Sequence, residues 1–174
     1  MRYVFIVIAL CLGWLVPPSS LAHSAQDALK SLLSLKMQTE CCVTRRAYLK
    51  AYEKTRVQIE RFLKSSQRNN CTELSAILVD IMKHYERVVT IMSYKSEGFI
   101  CAPREIEKYQ KLYPTLGGNS DHKSAMVIGP QGKKCLADSL LIDIIFRQAA
   151  WDFRAHGLLP QLKRNRFKCL SIEP

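Results

Sequence analysis

Two aspartate–histidine pairs are the strongest candidates for acid–base chemistry in this chain of 174 residues. Asp80 and His84 are separated by one helical turn, and so are Asp152 and His156. At this spacing a carboxylate can orient an imidazole, which is the arrangement that a general base requires. Hydrogen bonding between neighbours on a helix surface produces the same spacing, and we favour that interpretation. We therefore predict no catalytic residue in either pair.

Sequence motifs of the common enzyme families are absent. The chain contains no G-x-S-x-G, H-E-x-x-H, P-loop or G-x-G-x-x-G pattern. It also lacks the C-x-x-C pairs that zinc sites use. We therefore predict that the protein is not an enzyme and that it has no metal site and no cofactor.

The N-terminal residues 1–22 have the composition of a secretory signal peptide. Arg2 precedes an apolar run from Tyr3 to Val16, which is too short to span a bilayer comfortably. Prolines and serines follow, and the small residues Ser20 and Ala22 mark a cleavage point after Ala22. We predict a secreted protein whose single mature domain comprises residues 23–174.

The cysteines of the predicted mature chain are candidates for disulfide bonds. Cleavage after Ala22 would leave an even number of cysteines, namely Cys41, Cys42, Cys71, Cys101, Cys135 and Cys169. An even number in a secreted chain predicts disulfides, here three of them. A bond between adjacent cysteines closes a strained ring, so we expect Cys41 and Cys42 to have different partners. The spacing leaves the pairing itself open.

Apolar residues at helical spacing predict an all-α fold, a disulfide-stabilised bundle of four to five helices. Met37, Leu112 and Trp151 are among the apolar residues expected to face the core. Residues 114–134 are predicted to form a long loop, in which Ala125–Ile128 is the only candidate strand. The first predicted helix starts at a capping box, Ser24-x-x-Asp27. The second runs from about Val43 to Ser66, and the third starts at a cap, Thr72. The fourth lies between Pro103 and Pro114, and the fifth runs from about Leu136 to His156.

The chain is strongly basic, with 26 lysines and arginines against 15 acidic residues and a net charge of +11. Such a surplus favours an anionic partner. Few acidic residues accompany the basic clusters, so we interpret them as a functional cationic surface rather than an ordinary solvated face. No nucleic acid partner is expected. The predicted surface comprises Arg46, Lys50, Lys54, Arg61, Lys64 and Arg68, together with Lys163, Arg164, Arg166 and Lys168 in a basic tail over residues 159–174.

A sequon for N-glycosylation occurs at Asn70-Cys71-Thr72. Asn70 is therefore a candidate glycosylation site.

Six short segments carry a resemblance to a known family: Leu49–Glu53, Arg56–Ile59, Val127–Gly129, Ile142-Asp143, Asp152-Phe153 and Leu158–Pro160. They resemble segments of the gastropod sperm lysins. Leu49–Glu53 and Arg56–Ile59 resemble the first long helix of that family, and the other segments resemble its last long helix and the exit from it. With gaps, the resemblance covers about two thirds of the mature chain.

The resemblance implies a sperm acrosomal protein, held in a secretory vesicle, that acts at fertilisation without catalysis. A lysin opens the egg vitelline envelope by binding a filamentous glycoprotein, and a sister protein is thought to act on membranes at gamete fusion. The expected partner is therefore an egg-coat glycoprotein or an anionic membrane surface. An exposed apolar patch would mediate insertion or self-association as a homodimer. The six cysteines, the segment before Cys41 and the longer loop after Pro114 depart from the family.

A second class of protein fits the same physical pattern. A signal peptide, a helical bundle and disulfides are equally typical of a secreted four-helix cytokine or growth factor, whose partner would be a cell-surface receptor. A cytokine should bind that receptor tightly at physiological salt, whereas a coat-disrupting protein should bind in bulk and with strong salt dependence.

Overall fold

The computed structural model describes residues 19–40, 44–93, 98–117 and 125–158. Within these ranges the chain is mainly helical, which confirms the predicted all-α class. Its elements are α1 (Ser19–Glu40), α2 (Arg45–Lys64), α3 (Gln67–Asn70), α4 (Thr72–Ser93), β1 (Phe99–Ile100), α5 (Pro103–Leu112), β2 (Met126–Ile128), β3 (Lys134–Ala137) and α6 (Asp138–Ala155), with short 3-10 helices at Pro114–Gly117 and Pro130–Gly132. None of the described helices is both long and apolar enough to cross a membrane.

Helices α1 and α2 pack side by side in opposite directions. Near the start of α1, the Ser24 hydroxyl donates a hydrogen bond to Gln67 Oε1 (2.8 Å), just beyond the end of α2. Further along, the Thr55 hydroxyl donates to the Ser31 carbonyl oxygen (3.2 Å). Small side chains let the two backbones approach closely. The buried face of α1 consists of Ala25, Ala28, Leu32 and Leu35.

Two sequence predictions for α1 are wrong. Ser24 does not cap the helix, because α1 already begins at Ser19 and the residues before Ser24 are compatible with a helix. Cleavage after Ala22 would remove only the first residues of α1 and leave Ser24 in place. Met37 is 67% exposed rather than inward, since Leu35 continues the buried line of the helix and Met37 lies two residues beyond it.

Helices α2, α4 and α6 surround an aromatic core. The buried Tyr48 donates its hydroxyl proton to the backbone carbonyl oxygen of Tyr85 (2.8 Å), so α2 is tied to α4 by a hydrogen bond out of contact with water. Phe146 of α6 packs on both rings, with centroid distances of 5.7 Å and 6.1 Å. Burial raises the pKa of Tyr48 and of Tyr85, so both phenols stay protonated.

Residues 114–134 are not simply a loop. Strand β2 confirms the candidate strand, and two further short strands, β1 and β3, complete an antiparallel sheet in the order β1-β3-β2. Ile100 pairs with Leu136, and Val127 pairs with Cys135. Leu136 therefore belongs to β3, and α6 begins at Asp138 instead of Leu136. The Cys101–Cys135 disulfide joins the end of β1 to β3.

Cys71 is also disulfide-bonded. Its carbonyl oxygen accepts the Ser75 N–H (2.9 Å), so Cys71 rather than Thr72 occupies the cap position of α4. Cys41, Cys42 and Cys169 lie outside the described residues, and the total of three disulfides stays a prediction.

The inward faces of α5 and α6 differ from the prediction at two positions. Pro103 begins α5 as expected, and Tyr109 is buried, but Leu112 at the end of the helix is 40% exposed. In α6 the buried side chains recur every four residues from Leu141 to Phe153. Trp151 lies between two of these positions and is 58% exposed, on the solvent side of the helix.

Candidate functional site

A row of basic side chains lies along the outer surface of α2 and continues into α3. We call it the basic face; it comprises Arg46, Lys50, Lys54, Arg61, Lys64 and Arg68, all of them exposed. With 3.6 residues per turn, the five that belong to α2 fall within an arc of about 80°. The buried side of α2, which includes Tyr48, Ile59 and Phe62, points the opposite way. Arg46, Lys50 and Lys54, which the sequence places on one line, therefore lie on one face of α2, and Arg61 and Lys64 fall within the same arc.

The acidic residues next to the basic face are paired with another side chain. None of its six members forms an ion pair with any other residue in the described ranges. The two acidic residues of α2, Glu53 and Glu60, both bind Arg56 on the flank of the helix, at 2.9 Å and 2.6 Å. With seven basic and two acidic residues, α2 has a net charge of +5. This charge is directed to solvent.

Helix stability alone does not explain the charges of α2. Arg61 and Lys64 lie in the last turn, where positive charge is favourable because the helix dipole is negative at its C-terminal end. Arg45 and Arg46 lie in the first turn, where positive charge is unfavourable, and that turn contains no acidic residue. The charges of Arg45 and Arg46 therefore oppose the helix dipole.

The remaining predicted site residues are placed as follows. Asn70 is exposed at the end of α3, directly after the basic face, so an attached glycan would border that surface. Its glycosylation stays a prediction. The basic tail residues Lys163, Arg164, Arg166 and Lys168 lie outside the described residues.

The two aspartate–histidine pairs are not arranged as the sequence predicted. His84 Nε2 lies 2.8 Å from Asp152 Oδ2 on α6, and His84 Nδ1 lies 2.8 Å from the Tyr113 hydroxyl, just after α5. Asp80 instead binds Lys83 on the surface (2.7 Å). The predicted surface hydrogen bond within each pair is therefore wrong. His84 instead contacts Asp152, which is 68 residues away in the sequence and lies on a different helix.

The donors and acceptors of this network are complementary when His84 is neutral. Arg87 Nη1 donates to the Tyr113 oxygen (2.9 Å), Tyr113 can donate to His84 Nδ1, and His84 Nε2–H can donate to Asp152. Gln148 donates to the second oxygen of Asp152 (3.1 Å). Tyr113 is only 1% exposed, so the phenol offers little access to a substrate. The geometry suits a structural link between α4, α5 and α6.

Acidification should weaken the fold through His84. Burial lowers the pKa of His84, an effect that the charge of Asp152 opposes and that of Arg87 reinforces. The unfolded chain then takes up a proton more readily than the folded one. The contribution of His84 to the free energy of unfolding is complete above its ordinary pKa of 6.5 and is lost as the pH falls below that value.

The His84→Gln variant tests this effect, since glutamine offers one donor and one acceptor but takes up no proton near neutral pH. Urea unfolding at pH 7.5 and pH 5.5 should show a smaller loss of stability for the variant than for the wild-type protein. His156→Gln, at the end of α6, is the control and should keep the wild-type loss. An equal loss in all three proteins would contradict the assignment.

No group of three or more potential ligand side chains that could hold a metal ion is found in the described part of the chain. No protein-family model, curated protein or solved structure matches this chain.

Proposed function

We propose that this chain is a secreted protein that acts by binding a polyanionic extracellular partner through its basic face, without catalysis. The observation that carries the proposal is a set of six exposed basic side chains on one surface, with no ion-pair partner among the described residues. Charges that already had partners would gain little from an external anion. Unpaired charges on a single surface attract it collectively.

The partner that we propose is an acidic glycoprotein of the egg coat. Two of the segments that resemble the sperm lysins, Leu49–Glu53 and Arg56–Ile59, belong to α2, the helix that carries most of the basic face. Charge and resemblance therefore coincide on one element. Binding of many such molecules would compete with the contacts that hold the coat filaments together, so the vitelline envelope would open stoichiometrically.

The test is binding of the wild-type protein to isolated egg coats and to anionic phospholipid vesicles, at salt concentrations from low to high. We expect binding to coats that decreases as salt increases, because the Debye length shortens from about 30 Å at 0.01 M to about 8 Å at 0.15 M. Binding to vesicles with leakage, together with no binding to coats, would show that the target is the membrane and not the coat. Binding to neither surface would contradict the proposal and favour a cytokine-like ligand.

A further inference from the structure

A small groove opens between α1 and α2, beside the basic face. Its volume is about 230 Å³. It is lined by Lys30, Ser31, Ser34, Leu35 and Gln38 from α1, and by Ala51, Lys54 and Thr55 from α2. Lys54 also belongs to the basic face, so the groove and that face form one continuous surface.

The lining of the groove has the chemistry of a sugar site. The hydroxyl groups of Ser31 and Ser34 and the carboxamide of Gln38 offer hydrogen bonds, and the ammonium groups of Lys30 and Lys54 provide positive charge. No carboxylate occurs among the lining residues. Ala51 adds a small apolar surface against which carbon atoms of a sugar ring can pack.

The size of the groove restricts what can occupy it. Pockets for drug-sized ligands have volumes of roughly 300–1,000 Å³, so this groove holds one small ring rather than an oligomer. Its base is fixed, because Thr55 is 3% exposed and its hydroxyl binds the Ser31 carbonyl oxygen across the two helices. A fixed groove binds a ligand without the entropic cost of first ordering the site.

From these features we infer that the groove binds a single anionic sugar residue, carboxylated or sulfated, of a glycan on the partner. Lys30 and Lys54 would contact the anionic group, and the side chains of Ser34 and Gln38 would bind the hydroxyls. This inference rests on the proposed function, since Lys54 is shared. It adds recognition of a particular sugar to an attraction that otherwise depends on charge alone.

N-acetylglucosamine 6-sulfate is the probe for this inference, with N-acetylglucosamine and inorganic sulfate as separate references. In ¹⁵N NMR titrations, the sulfated sugar should shift the backbone amide signals of the lining residues. We expect each reference to bind at least about tenfold more weakly, because each lacks one half of the recognised chemistry. Equal binding of sulfate alone, or unshifted groove signals, would overturn the inference.

Variants separate the groove from the basic face. Lys30→Gln should weaken binding of the sulfated sugar about tenfold, since it removes one charged donor, and Ser34→Leu should abolish binding by filling the groove. Lys83→Gln makes the same change of charge on α4, outside both the groove and the basic face, and should leave sugar binding unchanged. If Ser34→Leu also left it unchanged, the groove assignment would be wrong. Salt-dependent binding of the wild-type protein to heparin tests the proposed function independently of these results.

Discussion

Replacing Arg46, Lys50, Arg61 and Lys64 together by glutamine is expected to weaken binding to heparin about a hundredfold at low salt. Each exposed ion pair contributes only about 0.2–1 kcal/mol, so a single substitution should have a mild effect. Four such contributions add to about 0.8–4 kcal/mol, and about 2.8 kcal/mol within that range corresponds to two powers of ten in the dissociation constant. The dependence of the affinity on salt concentration should also become weaker.

The fold should survive this change. All four side chains are exposed and lie on the side of α2 opposite its buried residues, so the circular dichroism spectrum should match that of the wild-type protein. Affinity is measured by isothermal titration calorimetry at several salt concentrations.

A matched variant controls for net charge. Lys83, Lys108, Lys111 and Arg147 each already bind a carboxylate, and replacing all four by glutamine removes the same formal charge. This control should bind heparin within a few-fold of the wild-type protein. If both quadruple variants lost affinity equally, total charge rather than the basic face would govern binding.

Removing the Cys101–Cys135 disulfide should have the largest effect on stability. The two cysteines are separated by 34 residues, and the chain-entropy model gives about 4 kcal/mol for a loop of that length. For a domain of this size, the melting temperature should fall by roughly 8–16 °C. Calorimetric melting of the Cys101→Ala/Cys135→Ala double variant measures the loss.

The same variant should still bind heparin normally below its melting temperature. The disulfide joins β1 to β3, whereas the basic face lies on α2 and α3. A loss of stability below about 1 kcal/mol would show that this cross-link does not stabilise the fold. Loss of heparin binding in the folded variant would show that the sheet contributes to the binding surface.

The long helices were predictable because their sequence pattern is local. In α4, Leu74, Leu78, Ile81 and Tyr85 recur at helical spacing and are all buried, as the pattern predicts. The sheet was only partly predictable, since β1 has two residues and β3 has four. Their pairing depends on contacts between distant parts of the chain.

Sequence spacing predicted only those parts of the candidate site that lie on a single helix. Arg46, Lys50 and Lys54 could be placed on one face because all three belong to a single helix. Lys30 was missed, because its place in the same groove as Lys54 depends on how α1 packs against α2. The contact of His84 with Asp152 was missed for the same reason, since no local pattern links residues on two different helices.

The arrangement of the elements along the chain also has a consequence for the order of folding. Helices α1 and α2 are consecutive, so their packing closes only a short loop. Pairing of Ile100 with Leu136 closes a much longer one, and the entropic cost of closure grows with loop length. We therefore expect contacts between sequence neighbours, such as α1 with α2 and β2 with β3, to form early. The contact between α4 and α6, in which His84 and Asp152 are separated by 68 residues, should form late. The part of the basic face on α2 would therefore form before the C-terminal half of the protein reaches its native contacts.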